Sequence, residues 1–83
     1  MDELVTIYGR DSCPHCVRAK ELCIDKGLEF DYLIVGEDIT RDELIAKVGQ
    51  PVTKVPQIFI GDSYVGGFQD FYRNVMRSYT RVQ

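Results

Sequence analysis

Two short stretches rich in β-branched and aromatic residues, ELVTIYG (3–9) and EFDYLIV (29–35), are separated by a run of good helix formers from Pro14 to about Lys26. That separation rules out the simplest way of pairing two strands. A hairpin needs a tight turn, whereas strands joined through a helix pair in parallel as a βαβ unit. Within the run, Val17, Ala19, Leu22 and Cys23 give a rough apolar face, and Gly27 stands where a helix ends on a left-handed residue. The chain therefore begins as strand, helix and parallel strand, and everything after must pack on that frame.

In TRDELIAKVG (40–49), Thr40 and Glu43 have capping-box spacing, Leu44, Ile45 and Val48 make a stripe, and Gly49 closes a second helix. QIFI and SYV flank Gly61-Asp62, a two-residue hairpin signal, which predicts an antiparallel pair. Beyond Gly66-Gly67, the residues Phe68, Phe71, Tyr72, Val75 and Tyr79 recur at helical spacing. They define a last amphipathic helix whose aromatic residues are expected in the core. The predicted fold class is α/β, in the order β-α-β-α-β-β-α, with residues 1–83 as a single domain.

A hydrophobic fraction of 45% is that of a globular chain. The formal charge of −3 speaks against sequence-independent nucleic-acid binding, which depends on neutralising phosphates. No apolar run approaches the ~20 residues that span a bilayer, and MDELVTIYG has neither the basic nor the apolar region of an export signal, so a cytoplasmic location is expected, with a monomer as the expected state. Three cysteines is an odd number, unlike the paired sets of small secreted scaffolds, so two thiols two residues apart read as reactive or metal-binding.

Those two are Cys13 and Cys16, in GRDSCPHCVRAK (9–20). Proline favours the first helical position, so Pro14 makes Cys13 the expected N-cap and puts Cys16 one turn on. Only a thiolate is nucleophilic, and the free N–H groups and dipole of a helix start favour an anion. Arg10 and a protonated His15 add positive charge, while Asp11 opposes them. By stabilising the Cys13 thiolate, and hence the reduced protein, His15 is expected to make the pair more oxidising.

With these segments in hand, the chain resembles the glutaredoxins, specifically their small dithiol class. The resemblance is carried by IYGRDSCPHCVRAK, KVPQIFI and GGFQD, in the family's order and spacing. It implies a thioredoxin-like fold, a four-stranded mixed sheet flanked by three helices, and glutathione-dependent thiol-disulfide exchange with no tightly bound cofactor and no metal. Cys13 would attack a disulfide or glutathionylated thiol, and Cys16 would resolve the mixed disulfide. Pro56 would be the family's cis-proline, and Val55 would offer its backbone to glutathione. Arg10, helped by Gln50 or Lys54, would meet the glycine carboxylate; Gly67, Gln69 and Asp70 would hold the γ-glutamyl end. Position 15 is usually tyrosine beside glutathione in a C-P-Y-C motif. The C-P-H-C variant resembles the strongly oxidising periplasmic dithiol oxidases. Lys54 replaces the usual threonine. Disulfide-containing proteins, ribonucleotide reductase among them by analogy, would be the partners.

Other chemistries compete. A structural zinc ion wants four ligands, and only His15 and Cys23 could complete Cys13 and Cys16. Cys23 lies two helical turns beyond Cys16 and is expected to be a small core residue. A redoxin recharged by thioredoxin reductase, a non-catalytic metal or cluster carrier, and an interaction module with idle thiols remain as alternatives.

Overall fold

The computed structural model describes residues 3–82, with side chains described for residues 3–77. Its elements are β1 (Val5–Gly9), α1 (Pro14–Lys26), β2 (Phe30–Ile34), α2 (Arg41–Val48), β3 (Gln57–Ile60), β4 (Ser63–Gly66) and α3 (Phe68–Val82). They form one four-stranded sheet in the order β2-β1-β3-β4. β1 and β2 are parallel, as a helical crossover requires. β1 also pairs antiparallel with β3, and β3 with β4 across a two-residue turn, with a bulge between Ile58 and Phe59.

Alternation along β1 sends its side chains to two different cores. Val5 and Ile7 join Ala19, Cys23, Ile58, Phe71 and Val75 under α1 and α3. Tyr8 goes to the opposite face with Leu44, Val52 and Phe59, under α2. The sheet is thus covered on both sides, with α1 and α3 together on one. Among the described residues no helix is long and apolar enough to cross a membrane.

The helix ends follow their local chemistry. Thr40 caps α2 by accepting from the Glu43 N–H (3.0 Å), and the Glu43 carboxylate accepts from the Thr40 N–H (2.9 Å). At the far end of α1, Gly27 adopts φ 69°, which lets the Leu28 N–H reach back to the Cys23 carbonyl (2.8 Å). The strands are shorter than the sequence suggests. Val35 leaves β2 to form an isolated bridge with Ile39.

Two expectations about apolar residues need correction. Val17 is 41% exposed, because only Cys16, Ala19 and Cys23 of α1 turn fully inward. On α3, Phe71 is buried, but Phe68 is half-buried and Tyr72 is 45% exposed, since the helix start projects past the sheet towards the cysteine loop. The side chain of Tyr79 lies outside the described ones.

Candidate active site

The loop between β1 and α1 is held by its geometry. Ser12 takes φ 62°, a left-handed conformation that costs an ordinary residue roughly 1–2 kcal/mol. The chain then enters α1 with Cys13 as N-cap and Pro14 at its first turn. Cys13 Sγ accepts the Cys16 N–H at 3.4 Å, so the sulfur already occupies the position that a capping oxygen fills elsewhere. Its thiol also points at the Val55 carbonyl, 4.0 Å away. Cys13 is partly exposed while Cys16 is fully buried behind it. Burial, reinforced by the neighbouring Cys13 side chain, pushes the Cys16 thiol up to about 11. One sulfur can meet a substrate, and the other can meet only its neighbour.

Two grooves meet beside Cys13, and Lys54 and Val55 border both. The first, of about 390 Å³, is lined by Arg10, Arg41 and Lys54 with no acidic residue. The Arg41 guanidinium is steadied there by donating to the Val52 carbonyl (3.2 Å). The second groove, of about 470 Å³, runs from His15 past Val55, Pro56 and Gly67 to Gln69 and Asp70. The His15 ring stacks on Phe68, with centroids 6.3 Å apart and planes at 26°, forming one wall. The Val55-Pro56 bond, between the grooves, is cis. At the far end, the Asp70 carboxylate pairs with Arg73 (2.9 Å) in the first turn of α3.

The structure thus gathers Arg10, His15, Lys54, Val55, Pro56, Gly67, Gln69 and Asp70 along the two grooves. Gln50 is exposed and is not among the residues that line either groove.

Sequence reasoning missed three residues here. Arg41 had one visible sign, a cation in the first turn of a helix, where the dipole prefers an acid. Gln57 is buried at the start of β3; its side-chain amide donates to the Lys54 carbonyl (2.8 Å) and its carbonyl accepts from the Tyr64 hydroxyl. Both Gln57 and Tyr64 line the second groove. Cys23 is buried in the core, and its thiol is raised to about 11 by burial. Among the described residues, no group of three or more His, Cys, Asp and Glu side chains gathers as a metal site would require.

A mixed sheet with helices on both faces, and a C-x-x-C at a helix start opposite a cis-proline, define a dithiol protein of thioredoxin-like fold. The glutaredoxin family's sequence profile matches residues 5–65. A glutaredoxin of Haemophilus influenzae is 49% identical over 73 residues, spanning 81% of this chain and 84% of that one. The structure of reduced Escherichia coli glutaredoxin superposes with a TM-score of 0.81 at 36% identity, covering 93% of this chain and 98% of the other. A hybrid peroxiredoxin of Haemophilus influenzae is 41% identical over 70 residues, which are 84% of this chain but 28% of that protein. The chain belongs to the glutaredoxin family and is a thiol-disulfide oxidoreductase.

Proposed function

We propose that the chain, acting over 1–83 as a cytoplasmic monomer, reduces protein disulfides and glutathione mixed disulfides through Cys13 and Cys16, with glutathione as its reductant. The observation that carries this reading is that Cys13 Sγ, partly exposed, faces the Val55 carbonyl, and Val55 borders both the cationic groove and the groove ending at Asp70. Glutathione is a tripeptide with a carboxylate at its glycine end and an α-amino acid at its glutamyl end. Arg10, Arg41 and Lys54 suit the first. The start of α3 suits the glutamyl carboxylate, and Asp70 suits the ammonium. Val55 contributes backbone groups between them, where the cysteinyl portion would lie alongside like an added strand.

In the forward reaction, the Cys13 thiolate attacks one sulfur of the substrate disulfide and the other leaves as a thiolate. The Cys16 N–H that already reaches Cys13 Sγ remains available to negative charge on that atom. Cys16 then attacks Cys13 Sγ, the mixed-disulfide bond breaks, and the intramolecular disulfide is left for two molecules of glutathione to reduce. His15 stands on the wall of the second groove, stacked on Phe68, and its exchange for tyrosine is expected to lower the reduction potential. Ribonucleotide reductase is one protein substrate suggested by the family. A peroxiredoxin is another, suggested by the hybrid relative.

The deciding experiment is reduction of a glutathione mixed disulfide and of a protein disulfide, driven by glutathione, with parent, Cys13→Ser and Cys16→Ser proteins. Cys13→Ser should be inactive on both substrates. Cys16→Ser should keep the first activity and lose most of the second. Turnover with thioredoxin reductase and none with glutathione would reassign the reductant.

A further inference from the structure

Resolution requires Cys16 to become an anion, yet its side chain is fully buried. Some group must therefore meet the charge inside the protein, because water cannot. The space beneath the sulfur is unusually close. A Cβ placed on Gly9 would lie 2.8 Å from Cys16 Sγ and equally 2.8 Å from the Tyr32 hydroxyl oxygen, so β1 has no side chain between the two. Tyr32 comes from β2, where it is register partner to Ile7, and its ring packs with the core under α1. Its hydroxyl donates to the Arg10 carbonyl at 2.9 Å. Cys16 and Tyr32 thus share the space beneath Gly9, and the Tyr32 hydroxyl opposes the effect of burial on the Cys16 thiol.

We propose that Tyr32 is a positioning residue for the resolving step: its hydroxyl, held between the Arg10 carbonyl and the Cys16 sulfur beneath Gly9, swings its hydrogen bond from carbonyl to sulfur as Cys16 loses its proton. A hydroxyl has one proton to donate and lone pairs to accept with. While Cys16 is a thiol, Tyr32 donates to Arg10 and can accept from the S–H. Once Cys16 is a thiolate, rotation about the C–O bond turns the same proton to the sulfur. Tyr32 keeps its proton throughout. The proton lost by Cys16 goes to solvent, the Cys16–Cys13 bond forms as the bond from Cys13 to glutathione breaks, and glutathione departs as a thiolate.

The other ionisable neighbours fit this arrangement. Cys13 faces Cys16 from the same helix start, Asp11 acts on Tyr32 from the loop, and Lys20 Nζ stands 4.8 Å from the Tyr32 ring centroid. A cation over the ring draws electron density from the phenol and makes it the better donor. Cys16 thus ionises in a buried pocket where the backbone of Arg10 already favours the anion and the Tyr32 hydroxyl is a second donor able to turn towards it.

The proposal rests on Cys16 being the resolving thiol. Its test is Tyr32→Phe, which keeps the ring and removes only the oxygen. The protein is first glutathionylated on Cys13, and the rate of glutathione release by Cys16 is followed in a single turnover. A lost hydrogen bond to a charged group predicts release slowed roughly tenfold or more. In a Cys13→Ser background, the ultraviolet titration of Cys16 should move to higher pH when Tyr32 becomes Phe, which a merely structural role would not produce. Unchanged release together with an unchanged Cys16 titration would overturn the proposal, whatever the variant's thermal stability. The two readings fail separately: Cys16→Ser retaining full protein-disulfide reduction would instead sink the dithiol mechanism itself.

Discussion

At the level of single residues, the active site is most sensitive where it has no side chain. Gly9 leaves only enough room for Cys16 Sγ and the Tyr32 hydroxyl, each 2.8 Å from where a Cβ would sit. Gly9→Ala must move one of them, and overpacking of this kind costs roughly 1–3 kcal/mol. A lower urea midpoint is expected, together with a greater loss of protein-disulfide reduction than of deglutathionylation by Cys13. Parent-like stability and resolution would mean that the loop yields freely. Gly66 is constrained twice, by φ 125° and by a would-be Cβ 2.6 Å from Asp70 Oδ2. Gly66→Ala should displace the carboxylate and raise KM for glutathione several-fold while Cys13 stays in place; an unchanged KM would remove Asp70 from glutathione binding. The cysteines themselves were legible in sequence because a proline between them fixes their place on a helix start. Tyr32 and Arg41 were not, since β2 and α2 bring them to the site only through space.

Individual elements show the same division between local and distant causes. α2 has eight residues and one fully buried side chain, Leu44, so its end chemistry matters more than its packing. Its capping box is complete and was readable from four consecutive positions. Thr40→Ala should therefore cost about 1 kcal/mol, seen as a lower urea midpoint with an unchanged slope. Backbone and side-chain hydrogen bonds from Thr40 hold the Glu43 carboxyl below its usual range. A carboxyl depressed in the fold adds stability above its unfolded value and loses it as pH falls through the folded one, so Glu43→Gln should flatten the acid edge of the stability profile. α3 marks the limit of periodicity. Spacing identifies the face carrying Phe68, Phe71, Tyr72 and Val75, but not where the sheet beneath it ends. Phe71 and Val75 lie over the sheet, whereas Phe68 meets His15, and Tyr72 leans on Phe68 with centroids 5.9 Å apart.

For the molecule as a whole, neighbouring elements were predictable and remote pairings were not. The parallel β1-β2 pair and the β3-β4 hairpin follow from the connections, but β1 against β3 joins strands separated by two helices. Net charge is equally coarse: a chain of −3 carries a groove lined by Arg10, Arg41 and Lys54. What burial does to the whole fold is better seen at alkaline pH. Cys16 and Cys23 are both raised from 9.0 to about 11, in each case chiefly by burial. A thiol raised in the fold contributes stability that is fully present below its unfolded pKa and is lost as pH rises through the folded one. The window is therefore about 9 to 11, and the raised values of Tyr8 and Tyr32 extend the loss upward. Thermal midpoints of the fully reduced protein should stay nearly flat to pH 9 and then fall. Cys23→Ala lowers the whole curve by leaving a small cavity, but its fall between pH 9 and 11 should be shallower, because one of the two reluctant thiols is gone. Oxidation to the Cys13–Cys16 disulfide should soften the fall by removing the other. Parallel curves for parent and Cys23→Ala would mean that the core accepts a Cys23 thiolate as readily as the unfolded chain does.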